Sequence, residues 1–345
     1  MQGLQNLGST CAINSMIQII CRTNYLRNAV LNNNIADDTI TYQLKEILDM
    51  MHNKNHSLSP KKFITHLYKH FDGIFQQGEQ LDIGELWMFL YDKIASECGI
   101  PISPDIIELT YSDEQDNKNN IEEIDLNSYL TSCYNLKNKC NNTINKINNN
   151  KTSEWLLTSQ GIMLNMIKCS TCNNIIYNFE PFTAIPLDIP EDNTKPSLAS
   201  MLRTYLKTQE CNGDWKCEKC DKCTPYIKST KLWKMPPVLM FVIKRFSNMT
   251  MKNNKGILIN DKLNIKKGSM IADINEEFKY TCSGMALHYG GLSGGHYCAM
   301  CNVNEGNESN QKWVIYDDIN MTVINDTKNY FESNRDAYML VYSKS

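Results

Sequence analysis

The 345 residues carry 35 Lys and Arg against 38 Asp and Glu. The formal charge of -3 therefore gives no overall reason to expect nucleic acid or an anionic membrane as partner. No run approaches the roughly 18 apolar residues of a membrane span and the start is not a signal peptide, so an intracellular protein of cytoplasm or nucleus is expected. The length allows one large or two ordinary domains. In a reducing compartment the 14 cysteines point to metal ligation or a reactive thiol rather than to disulfides.

At the start, Gly3-Leu4-Gln5-Asn6-Leu7-Gly8-Ser9-Thr10-Cys11 runs straight into Ala12-Ile13-Asn14-Ser15-Met16-Ile17-Gln18. Ile13, Met16, Ile17 and Ile20 recur at i, i+3, i+4 and i+7, which predicts a helix from Cys11 with one apolar face and Thr10 as its cap. A cysteine on the first turn meets unpaired N–H groups and the positive end of the helix dipole, which favour the thiolate. Asn6, on the preceding turn, is placed to aim its amide at an oxyanion. A buried structural cysteine explains Cys11 alone equally well.

Helical spacing recurs at Tyr42 to Met51, Pro60 to His70 and Ile83 to Ile94, which makes residues 1 to about 110 a mostly helical subdomain. Gln80, Asp82 and Glu85 open the last of these helices, where ordinary capping also accounts for the acids. Residues 112 to 152, rich in Asn, Lys, Asp and Glu, read as an exposed and partly disordered insertion in which Cys133 and Cys140 are incidental.

From Trp155 onward the pattern is one of strands: Ile162 to Ile167, Ile175 to Phe179, Phe182 to Leu187, Val238 to Phe246 and Phe278 to Leu287. Among them stand Cys169-x-x-Cys172 and Cys217-x-x-Cys220. Each pair can bite one edge of a tetrahedral metal, so a structural zinc is expected on these four cysteines. The 44 residues between the pairs place them at the ends of two different hairpins. Cys211 and Cys223 lie close by, and Cys223 leaves the fourth ligand open. Lys216, Lys219, Lys222, Lys228, Lys231 and Lys234 raise the rival of a nucleic-acid module, although a solvated basic edge explains them as well.

Near the end, Gly290-Gly291-Leu292-Ser293-Gly294-Gly295-His296-Tyr297 reads as a mobile glycine loop delivering a histidine onto a strand. Trp313-Val314-Ile315-Tyr316-Asp317-Asp318 follows as a second strand, and an antiparallel pair of this kind sets His296 beside an aspartate. The order Cys, His, Asp is that of a thiol protease triad. Asp317 and Asp318 point to opposite faces, so one of them meets the imidazole.

With these residues assembled, the chain resembles the ubiquitin-specific proteases, the papain-like cysteine peptidases that remove ubiquitin. The resemblance rests on the Cys box at residues 3 to 18, Gln80 to Glu85, the two Cys pairs, Pro236-Pro237-Val238-Leu239 with Lys244-Arg245-Phe246, the His box Gly295-His296-Tyr297, residues 313 to 318, and Ala337-Tyr338-Met339-Leu340-Val341-Tyr342. It implies an α+β right hand of thumb, palm and zinc-clipped fingers. Cys11 would be the nucleophile, His296 the base, Asp317 its orienter and Asn6 the oxyanion donor, with Asp318 assisting. Gln80, Asp82, Glu85, Gly294, Gly295 and Tyr297 would bind the substrate tail. The partners implied are ubiquitin and ubiquitinated proteins, with no nucleic acid and no membrane. A single catalytic domain is expected: a thumb over 1–110, the insertion over 111–154, fingers and palm strands over 155–245, and palm over 246–345. No regulatory domain is expected ahead of the Cys box. Ala12, where the family usually has an aromatic residue, and Leu81, at a glutamine-like position, are departures. An inactive ubiquitin-binding scaffold and a protease for a ubiquitin-like modifier are the alternatives.

Overall fold

The structure, a computed structural model, describes residues 2–33, 35–53, 58–102, 135–192, 195–213, 215–247, 251–265, 278–291, 294–304 and 311–345. Five helices form its first third: α1 (Cys11–Arg22), α2 (Asn24–Leu31), α3 (Ile40–Asn53), α4 (Lys61–His70) and α5 (Ile83–Cys98). The three expected helical stretches lie in α3, α4 and α5. The helix α1 is not amphipathic in use: every residue from Cys11 to Cys21 is buried. Its polar positions are absorbed internally, Gln18 donating to the Gln2 carbonyl at 2.8 Å and Asn14 to Asp318 at 2.7 Å. Polar groups inside a protein persist only with such partners, which is why an apolar stripe alone undercounted the buried surface.

A further helix covers 135–147 (α6), inside the segment expected to be an exposed insertion. Cys140 is buried there against Ile162, Leu164 and Phe179, so this part of the insertion packs as a wall of the molecule. The Asn-rich run at 117–120 and Cys133 lie outside the described residues. Trp155 is likewise helical, within α7 (Glu154–Ser159). Its indole packs between Trp87 and Tyr91 of α5 and donates to the Tyr91 carbonyl, a tertiary demand that overrides the strand-like pattern around it.

The central sheet runs in the order β17 (Asn320–Ile324), β16 (Trp313–Asp317), β15 (Gly294–Asn302), β14 (Phe278–Gly291), β18 (Ala337–Lys344), β10 (Val238–Lys244) and β5 (Ile185–Asp188), with β13 (Lys262–Ile265) also paired to β14. Both faces are covered, and alternation divides each strand between them. Ala286, Ala299, Val314, Met339 and Val341 face the helical layer, where α1 packs on β14, β15 and β16. Met285, Leu287, Met300, Trp313, Leu340 and Tyr342 face a second core closed by α8 (Leu198–Tyr205) and α9 (Lys328–Glu332). Arg245, with no exposed surface, donates to the carbonyls of Ala337, Asn253, Lys255 and Asn334 and binds the end of β10 to the start of β18.

A separate four-stranded sheet, in the order β4 (Ile175–Phe182), β3 (Gly161–Cys169), β9 (Tyr226–Lys234), β6 (Gln209–Cys211), projects from this body. The short hairpin β7 (Lys216–Cys217) and β8 (Lys222–Cys223) sits at its tip, beside the turn joining β3 to β4, and two short pairs, β1 (Ile100–Pro101) with β2 (Lys151–Thr152) and β11 (Phe246–Ser247) with β12 (Met251–Lys252), lie apart from these sheets.

Candidate active site

Cys11 is the first residue of α1. Thr10 does not cap the helix with its side chain. Its hydroxyl accepts from the Leu7 N–H at 3.0 Å and donates to Asn6 Oδ1 at 3.2 Å. Asn6 Oδ1 also accepts from the N–H groups of Gly8 and Thr10, closing the loop on itself and drawing the hydroxyl away from the helix end. Burial pushes the Cys11 thiol above the ordinary value. The backbone N–H groups of Tyr297, Ala12 and Cys11 pull it down, and the negative charge of Asp318 adds to the rise. The thiolate expected at a helix start is thus opposed by desolvation.

His296 on β15 sets Nε2 at 2.6 Å from Asp317 Oδ1 at the end of β16. That leaves Nδ1 as the ring atom free to accept a proton. Both side chains are about half exposed. Asp318 is the first residue of the turn to β17 and has φ 52°, a left-handed conformation that swings its carboxylate away from its neighbour's. It accepts from Asn6 Nδ2 at 2.8 Å and Asn14 Nδ2 at 2.7 Å, while its carbonyl accepts from the Leu4 N–H at 2.8 Å. Gly3 fits here because any β-carbon would stand 2.2 Å from the Ile319 carbonyl oxygen. The start of the chain is thereby fixed to the turn that carries both aspartates.

Asn14 is the residue sequence reasoning passed over. It lies on α1 one turn after Cys11, a spacing that places both on the same side of the helix. A second thiol, Cys298, lies with its Sγ, the His296 imidazole and an Asp317 oxygen all within 4.8 Å of one another. Burial and the adjacent Asp317 carboxylate push this thiol up to about 12.

The residues expected to receive a substrate tail divide. Gln80 grips the backbone of Gly295 with both ends of its amide, Nε2 to the carbonyl at 2.7 Å and Oε1 from the N–H at 2.9 Å. Asp82 is the N-cap of α5: Oδ1 accepts from the Glu85 N–H at 2.9 Å and Oδ2 from the Tyr338 hydroxyl. Its carboxylate is thus committed inside the protein, whereas Glu85 is exposed on the first turn. Gly294 has open space beside it, and Gly295 lies against His288, whose Nε2 would stand 2.1 Å from an added β-carbon. Tyr297 is buried with its ring on His288 and Tyr338, so it acts on the Cys11 sulfur through its backbone. The glycine segment is the end of a hairpin, with Gly290 paired to Gly295 and Gly291 to Gly294; Leu292 and Ser293 lie outside the described residues.

At the fingertip, the sulfurs of Cys169, Cys172, Cys217 and Cys220 lie within 4.8 Å of one another. The Cys169–Cys220 and Cys172–Cys217 separations are 3.9 and 3.7 Å. Four thiolates around zinc with bonds of about 2.3 Å have edges of about 3.8 Å, so the set fits that ion. The two knuckles have the same build. Asn173 and Asp221, the residues after each second cysteine, are left-handed and return their N–H to the carbonyls of Cys169 and Cys217 at 3.0 and 2.8 Å. Thr224 adds a 3.2 Å contact to the Cys169 sulfur, which favours the thiolate there. Cys223 is exposed and Cys211 half-buried, and neither joins the cluster.

A thiol at a helix start, an imidazole oriented by a carboxylate and two tethered asparagine amides make a set suited to acyl transfer. A family model described as ubiquitin carboxyl-terminal hydrolase matches residues 2–342. Ubiquitin carboxyl-terminal hydrolase 4 of Saccharomyces cerevisiae is 25% identical over 387 residues, covering 99% of this chain and 39% of the relative. For ubiquitin carboxyl-terminal hydrolase Usp2 of Drosophila melanogaster the identity is 24% over 370 residues, with 99% and 35% covered. The chain thus spans about two-fifths of the length of these relatives. Among solved structures, the yeast SAGA DUBm with an Sgf73 mutant superposes with TM-score 0.70 at 21% identity, covering 100% of this chain and 68% of the other. The SAGA Ubp8/Sgf11/Sus1/Sgf73 DUB module bound to ubiquitin aldehyde gives 0.69 at 20%, covering 100% and 70%; at these identities the likeness speaks for the fold. The match over nearly the entire length, with the residue order that carries the thiol site, places this chain in the ubiquitin carboxyl-terminal hydrolase family.

Proposed function

We propose that this chain is a thiol-dependent deubiquitinase that cleaves the peptide or isopeptide bond after the C-terminal glycine of ubiquitin. Cys11 attacks the carbonyl, His296 takes its proton through Nδ1 while Asp317 holds Nε2, and the same proton passes to the leaving amine. Asn6, kept in place by Asp318, turns its second N–H toward the developing oxyanion, and Asn14 steadies Asp318 from the other side. The single observation that carries the proposal is the 2.6 Å His296–Asp317 contact, next to Tyr297, whose backbone N–H favours the Cys11 thiolate.

The rest of the molecule has parts in the same proposal. Glu85 and the Gly294–Gly295 edge receive the tail, and Gln80 positions that edge; Asp82 and Tyr297 support it from below. Residues 1–345 act as one catalytic domain, with a helical thumb, a finger sheet clipped by zinc on Cys169, Cys172, Cys217 and Cys220, and a palm carrying His296 and Asp317. Zinc there fixes two hairpins at the fingertip, a structural service remote from the thiol chemistry. An intracellular setting agrees with free cysteines and with the lack, among the described residues, of a helix long and apolar enough to cross a membrane.

Ubiquitin bearing a C-terminal electrophile tests the proposal: a stoichiometric adduct located on Cys11 and lost in Cys11→Ala is the expected result. Labelling of another cysteine, or labelling only by a ubiquitin-like modifier carrying the same electrophile, overturns the assignment.

A further inference from the structure

Outside the fingers, a second convergence of metal-ligating side chains stands among the described residues. His296, Cys298 and Asp317 offer a nitrogen, a sulfur and an oxygen within 4.8 Å of one another. Topology produces it. His296 and Cys298 are two apart on β15 and share a face, and the β15–β16 register, which pairs Ala299 with Tyr316, brings Asp317 opposite Cys298 at the next step.

We propose that these three side chains form a second, exchangeable site for a soft divalent cation, Zn2+ above all, and that its occupancy silences the thiol chemistry. Ion binding stands on the geometry alone; only the silencing rests on the role given to His296. A nitrogen, sulfur and oxygen donor set suits zinc and disfavours magnesium or calcium, which seek oxygen. Tetrahedral bonds of about 2.0 to 2.3 Å hold the ligand atoms about 3.2 to 3.7 Å apart. The His296–Asp317 pair, now at 2.6 Å, therefore opens slightly, and the remaining separations lie within 4.8 Å. A fourth corner remains for water, because the side chains of His296 and Asp317 are 40% and 51% exposed. Three ligands, one of them a carboxylate, hold zinc less firmly than four thiolates, so this ion exchanges while the fingertip ion stays.

On binding, the Cys298 thiol proton leaves to solvent and the imidazole proton moves from Nε2 to Nδ1. With the metal on one nitrogen and a proton on the other, the ring has no lone pair for the proton of Cys11.

The test uses the zinc-replete protein. Co2+ is titrated while thiolate-to-cobalt absorption and metal stoichiometry are followed, and Zn2+ is titrated into hydrolysis of a ubiquitin–fluorophore conjugate, with each variant scaled to its own metal-free rate. Wild type and Cys11→Ala are expected to take up one ion beyond the fingertip equivalent, and Cys298→Ser none. The half-inhibitory Zn2+ concentration should rise at least tenfold in Cys298→Ser. Uptake of the extra ion by Cys298→Ser as in wild type overturns the site, and its loss in Cys11→Ala makes the nucleophile the ligand instead. Should Cys298→Ser not fold, Asp317→Asn in the Cys11→Ala background must lose the extra ion. If no form hydrolyses the conjugate, the proposed function fails while the cobalt titration still decides the site.

Discussion

The amide of Asn6 donates to Asp318 Oδ2 at 2.8 Å across 312 residues of sequence, while the adjacent Asp317 holds His296 at 2.6 Å. Two neighbouring carboxylates thus hold the two groups proposed as base and oxyanion donor, and their substitutions should separate. Asp317→Asn is expected to lower kcat by about 10²- to 10⁴-fold, the range general acid–base help supplies. Asn6→Ala should cost about 10²- to 10³-fold, as loss of an oxyanion donor does. Asp318→Asn should cost less than Asn6→Ala, since its amide can keep part of the contact. Equal losses at 317 and 318 in steady-state kinetics would show that both act on the ring.

The raised Cys11 thiol sets a pH dependence. Burial and the Asp318 charge disfavour the thiolate, so alkylation of the free protein should climb with pH. Mapping iodoacetamide adducts at Cys11 should give a midpoint above the value of about 8.5 for an ordinary thiol. In Asp318→Asn, with one opposing charge gone, that midpoint should move down. A midpoint below that of an ordinary thiol in wild type would mean that a pre-formed thiolate outweighs the desolvation.

Asp82 and Glu85 should no longer behave alike. Because Asp82 caps α5 and accepts from Tyr338, Asp82→Ala should destabilise by about 0.5 to 2 kcal/mol, read as a lower Tm. Glu85→Gln should leave Tm nearly unchanged and lower kcat/KM on ubiquitin conjugates by about tenfold per 1.36 kcal/mol of lost contact. Wild-type kcat/KM in Glu85→Gln would remove this residue from tail recognition.

His288 supplies a stability signature. It is buried between Phe246, Tyr297 and Tyr338, and burial, then the nearby Lys252, drop its pKa to about 4. Since an unfolded histidine titrates near 6.5, the unfolded chain binds the extra proton first, and stability is lost as pH falls from about 6.5 toward 4. Urea midpoints measured across that window should fall less steeply in His288→Phe than in wild type. Parallel slopes would assign the acid sensitivity to other groups.

The fingertip should behave as a clip. Cys169→Ser or Cys217→Ser should each lose about one zinc per chain and loosen β7 and β8, whereas Cys223→Ser should keep the metal. Metal loss in Cys223→Ser, with Cys217→Ser still loaded, would redraw the ligand set.

Much of this site was legible because chemistry constrains residue type. The Cys, His and Asp elements and the paired Cys-x-x-Cys knuckles stand out whatever lies between them, and periodicity located α3, α4 and α5. What the sequence hid depended on long-range partners. The helix at Trp155 exists because an indole fits between Trp87 and Tyr91. Thr10 fails to cap because Asn6 has claimed its hydroxyl. Asn14 looks like a polar residue on an amphipathic helix until Asp318 arrives from the other end of the chain. The helix at 135–147 lies among Asn and Lys residues whose composition speaks for disorder, and a few apolar side chains with Cys140 suffice to dock it.

The burial of α1 on all sides has a consequence for how the chain tolerates change. Since Cys11 to Cys21 leave no residue on the surface, no position there is free to vary without touching packing or an internal hydrogen bond. Core substitutions commonly cost 1 to several kcal/mol (~1–5) against a marginal total. Variants along this helix will therefore lower the amount of protein in a cell before they alter its rate per molecule, and a screen scored by cellular activity will misread them as catalytic unless abundance is measured alongside.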